Sequence, residues 1–273
     1  MPRSMNKGLF LFLLLLLFYS VTAQADLLIR GSDYLSPWLE EYVHEQDDLA
    51  SIRFDLKGSE SGLSAFEKGY ADACLYLGET KEGVKSIVLG YLVLYTYVAE
   101  GYPQQSISIE QLHRITQKPT QNSITRWEEI LEDSTGWESK TIRVVVDTGY
   151  KAIGYSLFRK MILGGAPEGA DVTKTLSPSE TKAKLIEDDA FLLFTLQREF
   201  PSRGLKQLSV INRGDIVPFP PAVDNIIYRD YPLVFPIHLF YKDSAPGINQ
   251  FIEVLHSEPF KEKLSQHDIF PNP

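Results

Sequence analysis

Residues Ser51 to Gly69 read Ser-Ile-Arg-Phe-Asp-Leu-Lys-Gly-Ser-Glu-Ser-Gly-Leu-Ser-Ala-Phe-Glu-Lys-Gly. No other stretch limits the fold as much. Ile52, Phe54 and Leu56 alternate with Arg53, Asp55 and Lys57, the period of a half-buried strand. Gly58 can take the φ of a sharp turn. Ser59 follows as the expected N-cap, its hydroxyl accepting a first-turn N–H. Leu63 and Phe66 supply an apolar helix face over 60–68, and Gly69 is placed to end the helix. Such a turn aims unpaired N–H groups and the positive end of a helix dipole at one point, which suits an anion. The pattern recurs. Leu27 to Asp33 is a second strand ending in Gly-Ser. Thr141 to Gly149 is a third, ending in a small polar turn before another helix.

The start of the chain is expected to be removed. Arg3 and Lys7 form a positive region, Leu9 to Phe18 an apolar run, and Ala23-Gln24-Ala25 a small-x-small cleavage site. This is the pattern of a secretory signal peptide over 1–25, with cleavage before Asp26. The apolar run is short for a membrane span. The full chain of 273 residues carries a net −9, and loss of Arg3 and Lys7 makes the remainder more acidic still. That argues against nucleic acid and against insertion at anionic membranes. Cys74 is the only cysteine, so neither an intramolecular disulfide nor a cysteine metal cluster is expected. It sits in the apolar run 73–77 and reads as a buried small hydrophobe. A periplasmic or secreted location follows.

The remaining chain alternates strands and helices. Strands are expected at 27–30, 52–57, 71–77, within 84–99, at 142–146, 190–195, 208–212 and 234–241. Helices are expected after Pro37, at 60–68, after the capping box Ser108–Gln111, around Trp127, at 150–163, at 178–187 after Ser177, and at 246–256 and 258–266. Ser36 or Asp33 is the expected cap of the first helix. The proline-rich stretch 217–236 reads as extended and irregular. The alternation gives an α/β fold with largely parallel sheets. The pattern breaks near 100 and a late strand returns near 230. Two lobes are therefore expected: 26–99 plus 230–273, and 100–229, with hinges near 97–101 and 226–234.

The order of these elements resembles the periplasmic phosphate-binding proteins of ABC transporters, the PstS-like branch of the type II solute-binding fold. The resemblance rests on Gly31-Ser32, on Gly58 to Gly62 with Ala65-Phe66 and Gly69-x-x-Asp72, and on Ile107 to Ile115 with Ile124-x-x-Trp127. It continues through Asp147-Thr148-Gly149, Tyr231-Pro232-Leu233, Pro236 to Tyr241, Phe251-Ile252 and Ser257 to Pro271. It implies two α/β lobes around a small oxyanion, phosphate first, captured for a permease by lobe closure. The ligand-binding residues it implies are Ser32, Asp33, Ser59, Glu60, Ser61, Gly62, Thr148 and Gly149.

This chain departs from that pattern by placing Asp33, Glu60 and Asp147 beside the three turns, and Leu77 where the family has a ligand-facing acid. Two like charges about 4 Å apart repel by roughly 4 kcal/mol at an effective dielectric near 20. Lys151 and Arg143 are the cations available to offset them. If neither does, a ligand bearing an amine or bridged by a metal, or an interaction or sensory role without transport, fits better.

No cofactor and no metal site is expected. His44, His113, His238, His256 and His267 lack metal-ligand spacing with one another. No nucleophile elbow and no Ser/His/Asp grouping stands out, so the chain reads as a binding protein and not an enzyme. Glu128-Glu129 and Glu187-Asp188-Asp189 read as solvated faces, and Tyr91, Tyr95 and Tyr97 as strand core.

Overall fold

A computed structural model describes residues 26–273 except 47, 48, 50, 170 and 188. The expected leader, 1–25, lies outside the described residues. Two mixed sheets carry the fold. The first contains β1 Leu28–Gly31, β2 Arg53–Leu56, β3 Ala73–Leu77 and β4 Ser86–Val93 from the start of the chain. The second contains β5 Tyr95–Ala99, β7 Arg143–Asp147, β8 Val172–Thr175, β9 Phe191–Thr195 and β10 Leu205–Gln207. A small third sheet joins β6 Ser106–Ser108, β11 Ser209–Ile211 and β12 Pro218–Phe219. The chain then returns to the first sheet with β13 Val234–Tyr241 and β14 Ile269–Pro271.

The first sheet runs β14-β4-β13-β3-β1-β2 and the second β10-β5-β9-β7-β8. β1 is parallel to β2 and β3, and β7 is parallel to β8 and β9. The return strand β13 is antiparallel to β3 and β4, and β5 is antiparallel to β9 and β10. Parallel pairs therefore sit where helices cross over, and antiparallel pairs where the chain doubles back. The chain changes sheet at Leu94, between β4 and β5. The expected first hinge, 97–101, thus begins inside a strand of the second sheet.

Burial follows the sequence pattern. β9 is buried at every position, and Val144, Val145 and Val146 are buried in β7, as befits strands covered on both faces. Tyr102, Trp127 and Trp137 pack ring against ring at 4.7, 5.4 and 5.8 Å. Trp127 also donates its indole N–H to Ala190 O at 3.2 Å. Cys74 is fully buried, and burial pushes its thiol up to about 12. His238 is buried in β13 with its ring stacked on Phe240 at 5.7 Å.

Several helix ends match their sequence signals. Ser108 and Gln111 form the reciprocal capping box of helix Ile109–Thr116, and Ser177 caps helix Pro178–Ile186. Others differ. Helix Trp38–His44 starts after Pro37 with no side-chain cap, so neither Ser36 nor Asp33 plays that part. Trp127–Glu129 is a single 3-10 turn. The stretch expected as one helix over 150–163 is a 3-10 turn at Tyr150–Ala152, an α-helix at Ile153–Phe158 and a π turn at Arg159–Leu163. The proline-rich stretch holds β12 and a short helix, Val223–Ile227.

The helix after β2, Ser59–Glu67, lies hard against the end of β1. A Cβ on Gly62 would stand 2.3 Å from Gly31 Cα. A Cβ on Gly31, at φ 135°, would stand 2.0 Å from Leu75 O. Only glycine lets strand, helix and strand approach this closely. Gly62→Ala is expected to destabilise the protein by about 1–3 kcal/mol through overpacking. That outweighs the roughly 1 kcal/mol of helix propensity which alanine returns. Urea denaturation of the variant checks this; a midpoint at or above that of the parent would contradict the close-approach account.

Candidate functional site

The first turn directs its Ser32 N–H inward. Ser32 is buried; its N–H donates to Leu75 O at 2.8 Å, and its Oγ accepts from the Tyr34 N–H at 3.2 Å. The following residue, Asp33, instead reaches across to the other sheet. Lys151 Nζ lies 3.0 Å from Asp33 Oδ2 and donates to Asp33 O at 3.0 Å.

The second turn is not capped as the sequence suggests. Gly58, not Ser59, occupies the N-cap position, and no side chain caps the helix. Ser59 Oγ accepts from the Leu77 N–H at 3.1 Å, tying the helix to the end of β3. Glu60 accepts from the Tyr76 hydroxyl at 3.1 Å, Ser61 is exposed, and Gly62 is the packing residue described above.

The third turn is closed on itself. Thr148 gives both its N–H and its hydroxyl to Thr175 O, at 3.0 and 2.9 Å. The Gly149 N–H donates to Asp147 Oδ1 at 3.2 Å, and the Thr195 hydroxyl donates to Asp147 Oδ2 at 2.9 Å. Asp147 is thus buried and used as the acceptor that folds its own loop. Lys151 and Ala152 follow at φ 50° and 56°. Side chains with a Cβ enter this left-handed region only when their surroundings hold them there.

Between the two sheets lies a cavity of about 790 Å³. From the first lobe it is lined by Tyr34, Trp38, His267 and Asp268, and from the second by Asp147, Gly149, Tyr150, Lys151, Leu196 and Gln197, among others. Two of its lining residues bridge to the other lobe: Lys151 to Asp33, and Tyr150, whose hydroxyl donates to Ser36 O at 3.1 Å. The rings of Tyr34 and Tyr150, the residues that follow the first and third turns, stand 6.3 Å apart.

Of the residues expected to bind ligand, Gly149 lines this cavity and Asp33 stands at its bridge through Lys151. Ser32 and Thr148 are buried with the donors named above engaged, and Ser59, Glu60, Ser61 and Gly62 are not among its lining residues. Lys151 offsets Asp33, whereas Arg143 pairs with Glu187 at 3.1 Å. No group of three or more metal-ligating side chains is gathered among the described residues.

Sequence reasoning missed the wall built by the C-terminal segment. His267 stacks on Trp38 at 4.6 Å with the rings 7° from parallel, and Tyr34 donates to His267 O at 3.4 Å. Burial, and then the Lys263 charge, hold the His267 imidazole below its usual value. The Asp268 carboxyl is held above the usual carboxylate range by burial and then by the charge of Asp147. Burial, and then the Asp268 charge, push the Tyr34 phenol up. Trp38 and His267 are 229 positions apart, and no local pattern joins them. The paired tyrosines after two of the turns were the one available signal.

No protein-family model matches the chain, and no curated protein matches it in sequence. Solved structures do match in fold. A possible phosphate binding protein from Planctomyces limnophilus is 15% identical, with a TM-score of 0.73, covering 91% of this chain and 93% of its own. PstS from Borrelia burgdorferi is 17% identical, with a TM-score of 0.73 and coverage of 90% and 98%. An ABC-type phosphate transport receptor from Vibrio cholerae is 19% identical, with a TM-score of 0.64 and coverage of 90% and 99%. The chain has the two-lobed α/β fold of these phosphate-binding structures.

Proposed function

We propose that this chain is an exported solute-binding protein that takes a small solute between its lobes and hands it to a membrane permease of the ABC type. One observation carries the reading: the cavity of about 790 Å³ lies between the two sheets, and its lining residues Tyr150 and Lys151 reach across to Ser36 O and Asp33 of the other lobe. We place the passages between lobes at Leu94 and near 230, so that residues 26–93 and 234–273 move as one body. Closure around a solute is then a hinge motion. The role assigned is binding and not bond breaking. Asp147, the one carboxylate fully buried among the described residues, is engaged by Thr195 and Gly149.

Phosphate is the solute named for the proteins of similar fold. The Ser32 N–H at the first turn, and the Thr148 N–H and hydroxyl and the Gly149 N–H at the third, are engaged inside this chain. A second reading remains at the start of helix Ser59–Glu67, because Gly58 leaves that first turn without a side-chain cap. An oxyanion there would meet the open amides. Calorimetric titration of residues 26–273 with phosphate, and sulfate as control, tests it. Micromolar binding that Ser59→Ala weakens supports the second reading; absence of heat removes it.

The hinge itself is testable without a ligand. An exposed ion pair contributes up to about 1 kcal/mol and a neutral hydrogen bond about 0.5–1.5 kcal/mol. Together, Lys151→Ala with Tyr150→Phe is expected to move the closed-to-open ratio about two- to seventy-fold toward open. Small-angle scattering of the double variant should give a larger radius of gyration with an unchanged circular dichroism spectrum. An unchanged radius would contradict the bridged-cleft reading.

A further inference from the structure

Two carboxylates and one lysine, itself paired with Asp33, are the acidic and basic side chains other than His267 that line the interlobe cavity among the described residues. Asp147 from the second lobe and Asp268 from the first both line it, and the Asp147 charge is felt at Asp268. Lys151, the one lysine or arginine among the described lining residues, is held by two oxygens of Asp33. Arg198 bears on Tyr95 and Tyr97 but is not among the lining residues. His267 is stacked on Trp38 and favours its neutral form. The walls are aromatic: Tyr34, Trp38 and Tyr150. One ammonium already rests on this surface, with Lys151 Nζ 5.5 Å from the Tyr150 ring centroid. Aromatic faces attract cations at this range. A bare phosphate would fill only a small part of a cavity sized for larger organic ligands.

We propose that the cleft selects a small organic cation, a solute bearing a protonated amine or a quaternary ammonium. Its charge lies between Asp147 and Asp268, and its apolar part against Tyr34, Trp38 and Tyr150. This deepens the solute-binding reading and rests on it. Asp268 stands at φ 57°, where its backbone is held out of the common regions. Asp147 and Asp268 both line the cleft and the Asp147 charge repels that of Asp268, with Tyr34 and Tyr95 near enough to feel Asp268 and the Lys151–Asp33 pair spanning the two lobes. A cation between the carboxylates relieves that repulsion, and opposite charge favours ionised carboxyl groups.

Residues 26–273 and the variant Asp268→Asn are titrated calorimetrically with choline, putrescine and sodium phosphate at pH 7. Choline or putrescine is expected to bind, phosphate is not, and Asp268→Asn is expected to weaken the cation at least ten-fold. The same variant, without ligand, is expected to melt higher than the parent at pH 7. The folded chain holds the Asp268 proton more tightly than the unfolded chain does. Stability is therefore lost as pH rises from the ordinary carboxylate value through the raised one, and asparagine removes that loss. The gain should vanish below the ordinary carboxylate range. A higher melting temperature together with weaker binding is a result that a merely structural role for Asp268 would not give. Phosphate binding with neither cation bound overturns the cation inference and leaves solute capture standing. Cation binding of equal strength in Asp268→Asn overturns the placement. Binding of no probe overturns the inference, and if the bridge variant also keeps its radius, solute capture falls with it.

Discussion

Lys151 reaches from the third turn to Asp33 of the first, and this contact between the lobes depends on how Lys151 itself is held. Its ammonium reaches Asp33 while its backbone sits at φ 50°, next to Ala152 at 56°. Such residues cost about 1–3 kcal/mol each. The ion pair, exposed at 37% and 46% on its two sides, contributes up to about 1 kcal/mol. The bridge therefore does not offset the strain by itself. The loop's own bonds hold it: Gly149 N–H on Asp147, Ala152 N–H on Gly149 O and Gly154 N–H on Thr148 O. The third turn is a preformed arm, rigid within its lobe, that presents a cation and a tyrosine to the other lobe.

The same bookkeeping explains why three turns with the look of anion loops differ so much in what they offer. Each buried N–H must find an acceptor. At the first turn Leu75 O supplies it, and at the third Thr175 O and the Asp147 carboxylate do. A carboxylate at position 147 is thus consistent with the loop and not a flaw in it, since it takes the place that a bound anion would hold as acceptor. The loop's own donors are thereby engaged, and Asp147 stands buried in the cavity wall.

Most of the architecture was legible in the sequence because it is local. Alternation in 52–57, the valines of 144–146, the capping box at Ser108 and the cap at Ser177 each act over a few residues, and each element formed where those signals stood. Ser59 misled because a serine before a helix is a good cap in isolation, whereas here the Leu77 N–H competes for the same oxygen. The 150–163 stretch misled because apolar spacing continues across the left-handed residues Lys151 and Ala152 and across the change from α to π at Arg159. The cleft was half legible. Asp33, Asp147 and Lys151 could be named from the turns. Trp38, His267 and Asp268 meet only because the chain's last segment folds back onto its first lobe, and nothing local encodes that.

Hydrogen exchange on residues 26–273, with and without choline, tests the central claim that both lobes share one cleft. The account predicts simultaneous added protection in 31–38, 147–151 and 266–268 when the cation is present, with little change at 58–62. Protection confined to one lobe, or confined to 58–62 on addition of phosphate in place of choline, would contradict it.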